Sequence, residues 1–166
     1  TFLGPGTVPS AGGGAGRVNC IRFDPTNSNN IWIGTPAGGL WKSTNGGTSW
    51  STNTDQLTVL GVSDVAIDPT NTNIIYIATG DGDASDTYSI GVLKSTDGGA
   101  TWNTTGLTWT VNQIRTISRL LINPNNTNIL LAATSNGVYR STDAGATWAQ
   151  TLTGSRKDME FKPGDP

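Results

Sequence analysis

The chain has 166 residues, of which 13% are charged and 22 are glycine, with a formal net charge of −2 and no histidine. Without histidine the chain cannot contain a Ser-His-Asp or Cys-His relay or an imidazole metal ligand. The single cysteine, Cys20, excludes an internal disulfide and is expected to be a buried small hydrophobe. The ten basic residues are dispersed, which argues against a nucleic-acid partner, and no run of about 18 apolar residues predicts a membrane span.

The first part of the chain predicts four short strands joined by turns. After a Gly-rich lead-in, in which Thr1 to Leu3 could form a strand, apolar runs cover Val18 to Phe23, Ile31 to Ile33, Leu40 to Lys42 and Ser49 to Thr52. Each run is bounded by turn residues such as Gly, Pro, Asn and Asp, which is typical of β-strands. Long helices are not expected from this pattern.

The same arrangement recurs along the chain. An eight-residue segment of the form Ser-Thr-Asp/Asn-x-Gly-x-Ser/Thr-Trp occupies 43–50, 95–102 and 141–148, which we call boxes 1, 2 and 3. A turn of the Asp-Pro-x-Asn type recurs out of phase with the boxes at 23–27, 67–71 and 122–126, and in truncated form at 161–165.

A repeat of about 50 residues with four strands is typical of a β-propeller blade. The predicted fold is therefore all-β, with four-stranded antiparallel blades and Asp-box hairpins. Closed propellers have about four to eight blades, so three units and the opening of a fourth predict a fragment of a larger propeller. The predicted segments are a lead-in at 1–16, blade 1 at 17–56, blade 2 at 57–105, blade 3 at 106–153 and the start of blade 4 at 154–166.

Each box is expected to fasten the hairpin between the third and fourth strands of its blade. The acidic or amide side chain can accept backbone N–H groups, and the glycines can supply positive φ. The tryptophan can bury its ring between neighbouring blades. The predicted structural residues are Asn45, Trp50, Asp97, Trp102, Asp143 and Trp148. Because box 1 carries Asn45 in place of an acid, a catalytic role for this position is disfavoured.

These boxes, with the Gly-Leu/Val-x-Lys/Arg run before them and the Asp-Pro-x-Asn turns, resemble the Asp-box or bacterial neuraminidase repeat. That repeat occurs in sialidases, sortilin-type receptors, xyloglucanase-type glycosidases and photosystem II assembly factors. The resemblance covers Arg17 to Lys162 and implies the propeller scaffold, on which unrelated activities are carried. With Phe-Leu-Gly-Pro at 2–5 and Gly-Gly-Gly-Ala-Gly-Arg-Val-Asn at 12–19, the whole chain most resembles the N-terminal propellers of large bacteroidete surface proteins secreted by the type IX pathway. A secreted or cell-surface location is therefore expected.

Strand alternation predicts that boxes and Asp-Pro turns share one rim, while the loops between strands two and three and the linkers between blades share the other. Binding sites are usually built from such variable loops. The long loop of blade 2 carries Asp81, Asp83 and Asp86, whose hard oxygens suit calcium. A solvated acidic turn is the alternative to a calcium site.

The linker between blades 2 and 3 contributes a second group of candidates to the same rim. Trp109 and Arg115, together with Tyr88, could stack on a sugar ring or anchor a peptide. The alternative is that Trp109 packs over a blade junction.

The resemblance argues against a complete catalytic site. Xyloglucanase-type enzymes place a catalytic Asp in a Thr-Asp-x-Gly-Gly setting in the first blade, where this chain has Pro36 after Thr35. The Arg-Ile-Pro segment of sialidases is also missing. We therefore expect a non-catalytic module that binds an extracellular protein or glycan and packs against the remaining blades of its propeller. The alternative is the propeller part of a xyloglucanase- or sialidase-like glycoside hydrolase whose catalytic residues lie mostly elsewhere. The dispersed basic residues disfavour a photosystem-type assembly factor.

Overall fold

The computed structural model describes residues 16–82 and 87–162, and the predicted strand at Thr1 to Leu3 lies outside them. Twelve strands within these ranges form three four-stranded antiparallel sheets. The first sheet contains β1 (Cys20–Phe23), β2 (Ile31–Gly34), β3 (Leu40–Ser43) and β4 (Ser51–Thr52). The second contains β5 (Val62–Ile67), β6 (Ile75–Thr79), β7 (Gly91–Ser95) and β8 (Asn103–Thr108). The third contains β9 (Ile117–Ile122), β10 (Leu130–Thr134), β11 (Gly137–Ser141) and β12 (Ala149–Thr153).

Each sheet is a meander in which every strand pairs with its neighbour in the chain, in the orders β1-β2-β3-β4, β5-β6-β7-β8 and β9-β10-β11-β12. The prediction of all-β structure in four-stranded antiparallel blades is therefore confirmed, and we refer to the sheets as blades 1, 2 and 3. One 3₁₀ turn, Val111–Gln113, lies between blades 2 and 3. No helix in the described part of the chain is long and apolar enough to cross a membrane.

The boxes form the hairpin turns as predicted. In box 2 the Asp97 carboxylate accepts the backbone N–H of Thr101 at 2.9 Å and its hydroxyl at 2.6 Å. Asn45 accepts the N–H of Ser49 at 2.9 Å in the same way. The φ angles of Gly98 and Gly99 are 70° and 85°, which glycine adopts without steric cost.

The core lies between the blades rather than within each one. One cluster joins buried side chains of blades 1 and 2, including Trp32, Leu40 and Val65, and a second joins blades 2 and 3, including Tyr76, Leu120 and Leu130. Cys20 belongs to the first cluster and is buried, as the sequence predicted. Burial raises the pKa of its thiol to about 12, with a further contribution from the Asp64 carboxylate, so this cysteine stays protonated.

The Asp-Pro turns lie on the same rim as the boxes. The backbone N–H of Gly46 donates to the carbonyl of Asn29 at 3.0 Å, and that of Gly98 donates to the carbonyl of Asn73 at 2.9 Å. Loops between the second and third strands, and the linkers between blades, lie at the opposite ends of the strands. We call the latter surface the loop rim; it includes residues 35–39, 80–82, 87–90, 109–116 and 135–137.

Candidate functional site

Backbone hydrogen bonds join the loop rim into one surface that crosses blade boundaries. The carbonyl of Thr35 in blade 1 accepts the N–H of Val62 in blade 2 at 2.9 Å. The carbonyl of Pro36 accepts the hydroxyl of Thr87 at 2.8 Å. Towards blade 3, Ser89 N–H donates to the carbonyl of Arg115 at 2.8 Å. The loops are therefore held in fixed positions relative to one another before any ligand binds.

Asp81 is the best-defined carboxylate on this rim. Its side chain is 0% exposed and pairs with the Arg17 guanidinium, while Asn19 Nδ2 approaches its other oxygen at 3.4 Å. Its backbone N–H donates to the carbonyl of Thr87 at 2.9 Å. This carboxylate is therefore already engaged with the segment that precedes β1, through Arg17, a partner 64 residues away that the sequence pattern did not indicate.

The predicted calcium ligands Asp83 and Asp86 lie outside the described residues. Within ranges 16–82 and 87–162, no group of three His, Cys, Asp or Glu side chains is placed to hold a metal ion. A calcium site in this loop stays a prediction, and it would have to share Asp81 with Arg17.

The start of this loop also contacts the units that follow blade 2. The Lys157 ammonium donates to the carbonyl of Gly82 at 3.1 Å, and a Cβ at Gly82 would lie 2.8 Å from the carbonyl oxygen of Ile117. Arg17, Ile117 and Lys157 all lie at or before the start of the first strand of their units. Asp81 and Gly82 therefore tie blade 2 to the segments that begin blade 1, blade 3 and the fourth unit.

The three predicted ligand-binding residues come from neighbouring segments of the rim. Trp109 donates its backbone N–H to the carbonyl of Ile90 at 3.0 Å, and Arg115 accepts from the residue next to Tyr88. The Trp109 ring meets Tyr139 edge-on, with centroids 5.9 Å apart, and packs on the core cluster between blades 2 and 3. Trp109 thus spans a blade junction, and all three candidates are half-buried.

A short apolar projection between these residues was missed by the sequence analysis. The 3₁₀ turn presents Val111 and Ile114 to solvent, 44% and 60% exposed; we call residues 110–114 the knuckle. Ile114 has φ 53° and ψ 49°, the left-handed region that a β-branched side chain rarely adopts. Such a conformation costs on the order of 1–3 kcal/mol and is concentrated at functional sites. The sequence contained one weak signal, two aliphatic β-branched residues in an otherwise polar linker.

The knuckle is held by its own hydrogen bonds. The Gln113 side chain accepts the backbone N–H of Thr110 at 2.8 Å, and the N–H of Gln113 donates back to the carbonyl of Thr110 at 3.0 Å. The N–H of Ile114 donates to the carbonyl of Val111 at 3.1 Å. The strained conformation is therefore built into the turn and does not depend on a bound partner.

A second polar cluster lies among the innermost strands. Asp64, 2% exposed in its side chain, pairs with Arg22 of blade 1 and accepts the backbone N–H of Leu120 in blade 3 at 2.8 Å. Burial raises the pKa of Asp64, whereas Arg22 and the Leu120 N–H oppose the shift. Arg119, whose Nε lies 4.0 Å from Asp64, continues the chain of charges to Asp158 and Glu160 in the fourth unit.

Arg22 and Arg119 of this cluster line a cavity of about 310 Å³. The rest of the lining comes from repeated positions of the three blades, including Phe23, Ile67 and Ile122. Asp64 itself is fully engaged in joining three blades. The sequence analysis did not single it out, although an acid within the apolar strand Val62–Ile67 is an unusual feature.

Comparison with known proteins shows that the sequence matches one protein family. The family described as "Sortilin, neurotensin receptor 3" (Sortilin-Vps10) matches residues 38–165. No curated protein matches the chain in sequence.

Several solved structures share the fold. An ancestral GH74 enzyme is 29% identical, with a TM-score of 0.71 over 81% of this chain and 18% of its own. The GH74 enzyme of Niastella koreensis is 28% identical, with a TM-score of 0.63 over 86% of this chain and 23% of its own. YCF48 bound to D1 peptide, at 19% identity and a TM-score of 0.63 over 90% of this chain and 45% of its own, shares the fold alone. These neighbours are β-propellers, so the chain is a propeller fragment, and it spans about a fifth of the length of the GH74 enzymes.

Proposed function

We propose that this chain, which belongs to the sortilin family, is a non-catalytic recognition module whose loop rim binds an extracellular protein or glycan. The observation that carries the proposal is the knuckle, where Ile114 is both strained and exposed. A protein keeps an exposed aliphatic side chain in an unfavourable backbone conformation when the exposed group has a use. Trp109, Arg115 and Tyr88 of the same rim supply the aromatic and cationic groups that dominate binding energy at interfaces.

The two buried carboxylates Asp81 and Asp64 support a role other than hydrolysis. A glycosidase needs two carboxyl groups that face a substrate about 5–9 Å apart. Asp81 and Asp64 are instead buried and paired with Arg17 and Arg22, and Pro36 occupies the place where the xyloglucanase-type pattern has its acid.

The second candidate is the propeller part of a glycoside hydrolase. It is favoured by the likeness to two GH74 enzymes at 29% and 28% identity. In that case the acids that cleave the glycan would be supplied largely by blades outside this chain. The YCF48 structure, which carries a D1 peptide, supports the first candidate only as an example of this fold in a peptide complex.

The finer identity of the protein follows from the sequence motifs. We propose that the boxes are Asp-box repeats and that the protein reaches the cell surface or medium of a bacteroidete through the type IX pathway. Fractionation of cells with and without a functional type IX translocon tests this: loss of the protein from the surface and medium supports it, and unchanged export contradicts it.

Binding and hydrolysis are tested on the full-length protein with defined probes. The protein is applied to a glycan array that includes xyloglucan oligosaccharides and sialyllactose, and to an array of extracellular proteins, and released reducing sugar is measured from xyloglucan. We expect binding that falls at least tenfold in Trp109→Ala and Arg115→Ala, and is unchanged in Thr96→Ala, an exposed position on the box rim. Hydrolysis that disappears in Asp81→Asn would instead establish the enzyme. Binding that is unchanged in both Trp109→Ala and Arg115→Ala would show that the loop rim is not the binding surface.

A further inference from the structure

The junctions between blades use the same contacts twice. At the first junction, the ammonium of Lys42 donates to the carbonyl of Gly98, the fourth residue of box 2, at 3.0 Å. At the second, Lys94 donates to the carbonyl of Ala144, the fourth residue of box 3, at 3.2 Å. Each lysine is the next-to-last residue of the third strand of its blade, where Lys42 pairs with Trp32 and Lys94 pairs with Tyr76 on the second strand. A basic residue of one blade therefore binds one fixed carbonyl in the box of the next.

A large side chain on the second strand completes each junction. The Lys42 ammonium lies 4.5 Å from the centre of the Trp32 ring, and the Lys94 ammonium lies 5.2 Å from that of Tyr76. The Tyr76 hydroxyl donates to the carbonyl of Ala144 at 3.0 Å. Both rings are buried, at 3% and 1% exposure. We call such a pair of side chains, Trp32 with Lys42 or Tyr76 with Lys94, a blade latch, because it receives the box of the next blade.

The fifth residue of the box is a glycine with positive φ, 85° at Gly99 and 87° at Gly145, and it packs against the preceding blade. A Cβ at Gly99 would lie 2.5 Å from Cη2 of Trp32, and a Cβ at Gly145 would lie 3.4 Å from Cε1 of Tyr76. Both glycines are buried, whereas Gly47 of box 1, which no described blade precedes, is only half-buried. The box thus fits closely against the latch side chains of the blade before it.

Blade 3 carries the corresponding side chains, and no box from residues 16–82 or 87–162 lies against them. Leu131 pairs with Arg140 across β10 and β11, as Trp32 pairs with Lys42 and Tyr76 with Lys94. Within the described residues Leu131 is half-buried and Arg140 is exposed. Arginine can donate to a backbone carbonyl as lysine does.

The opening of a fourth unit already lies against blade 3 in the register that blade 2 adopts against blade 1. The backbone N–H of Arg156 donates to the carbonyl of Thr134 at 2.9 Å, as that of Val62 donates to the carbonyl of Thr35 at 2.9 Å. Thr35 directly follows β2 and Thr134 is the last residue of β10, so both lie where the second strand of a blade reaches the loop rim. The fourth unit has therefore begun to dock in the geometry that brings a box onto the latch.

We propose that Leu131 and Arg140 form the docking site for the box hairpin of a fourth blade, with Arg140 donating to the carbonyl of the fourth box residue. The occupant is a hairpin with glycine at its fifth position, contributed by the same polypeptide as the strand segment at 154–162. This interaction surface is separate from the loop rim, and the proposal does not depend on the proposed function.

The test uses the full-length protein and limited proteolysis by thermolysin under native conditions. We expect Arg140→Ala to raise the cleavage rate about fivefold, the effect of one net hydrogen bond, to the same extent as Lys94→Ala. Arg140→Lys should restore protection because lysine fills this place in blades 1 and 2. Thr142→Ala, an exposed neighbour, is the control and should leave the rate unchanged.

Two results would overturn the proposal. The first is an Arg140→Ala variant as resistant as the wild type while Lys94→Ala is cleaved faster. The second is an Arg140→Ala effect that vanishes on dilution, because the box would then come from a second copy of the chain. Modification of Arg140 by phenylglyoxal gives an independent measurement that needs no variant: protection in the native protein supports a seated box, and free reaction contradicts it.

Discussion

Replacing Ile114 by glycine tests whether the knuckle is strained. A left-handed conformation costs an L-residue roughly 1–2 kcal/mol, and glycine relieves this cost but loses about 0.5–1 kcal/mol more chain entropy on folding. The side chain is 60% exposed, so it contributes only part of the 1.5–3 kcal/mol or so of a fully buried isoleucine. These contributions nearly cancel, and we expect the free energy of unfolding of Ile114→Gly to lie within about 1 kcal/mol of the wild type.

Val111→Gly is the matched control because it removes a similarly exposed side chain from the same turn. Unlike Ile114, Val111 is not among the described residues with positive φ, so glycine there brings the entropic cost without relief of strain. We expect it to lower the free energy of unfolding by about 1–2 kcal/mol. Urea unfolding followed by tryptophan fluorescence measures both variants. An Ile114→Gly loss as large as that of Val111→Gly would refute the strain argument. Loss of ligand binding with unchanged stability would place Ile114 in the recognition surface.

Asp64→Ala removes a buried carboxylate and should lower the free energy of unfolding in urea by about 2–4 kcal/mol, since broken buried ion pairs cost about 3–5 kcal/mol and its arginine partners can partly rehydrate. The exposed control Asp55→Ala should change the free energy of unfolding little. Equal effects of the two substitutions would contradict the role of Asp64. Hydrogen bonds from Thr101 and Ser95 lower the pKa of Asp97 to about 2, so its contribution to stability is present above about pH 4 and is lost as the pH falls towards 2. The acid transition should therefore flatten in Asp97→Asn, and an unchanged thermal midpoint profile from pH 5 to 2 would argue against it. If the loop binds calcium, saturating ion raises the thermal midpoint relative to chelator and Asp83→Asn abolishes the rise, whereas no shift in the wild type would exclude the site.

The blades and boxes were predictable because they depend on local rules that repeat. Apolar runs of three to six residues between Gly, Pro and Asn turns predicted strands close to those observed, such as Ile31–Gly34 for the run Ile31 to Ile33. The box turns were predictable because a short side chain that accepts a backbone N–H acts over four residues. Three copies of each pattern in one chain made the propeller interpretation secure.

The contacts that shape the candidate site were not predictable in this way. Arg17 and Asp81 are 64 residues apart, and their pairing depends on the rotation between successive blades, which no local pattern specifies. The backbone angle of Ile114 is imposed by the turn that Thr110 and Gln113 close. Position 114 itself carries neither glycine nor asparagine, the residues that usually indicate a positive φ.

The blade latch also bears on how such a protein can grow. Each repeat contains both halves of the junction: the side chains that receive the next box, as in Tyr76 and Lys94, and the box that fits the preceding blade, as in Gly98 and Gly99. A tandem gene duplication of one repeat therefore produces a new junction whose two sides already match. Rings with different numbers of blades can arise by unequal recombination without a separate round of selection for each interface.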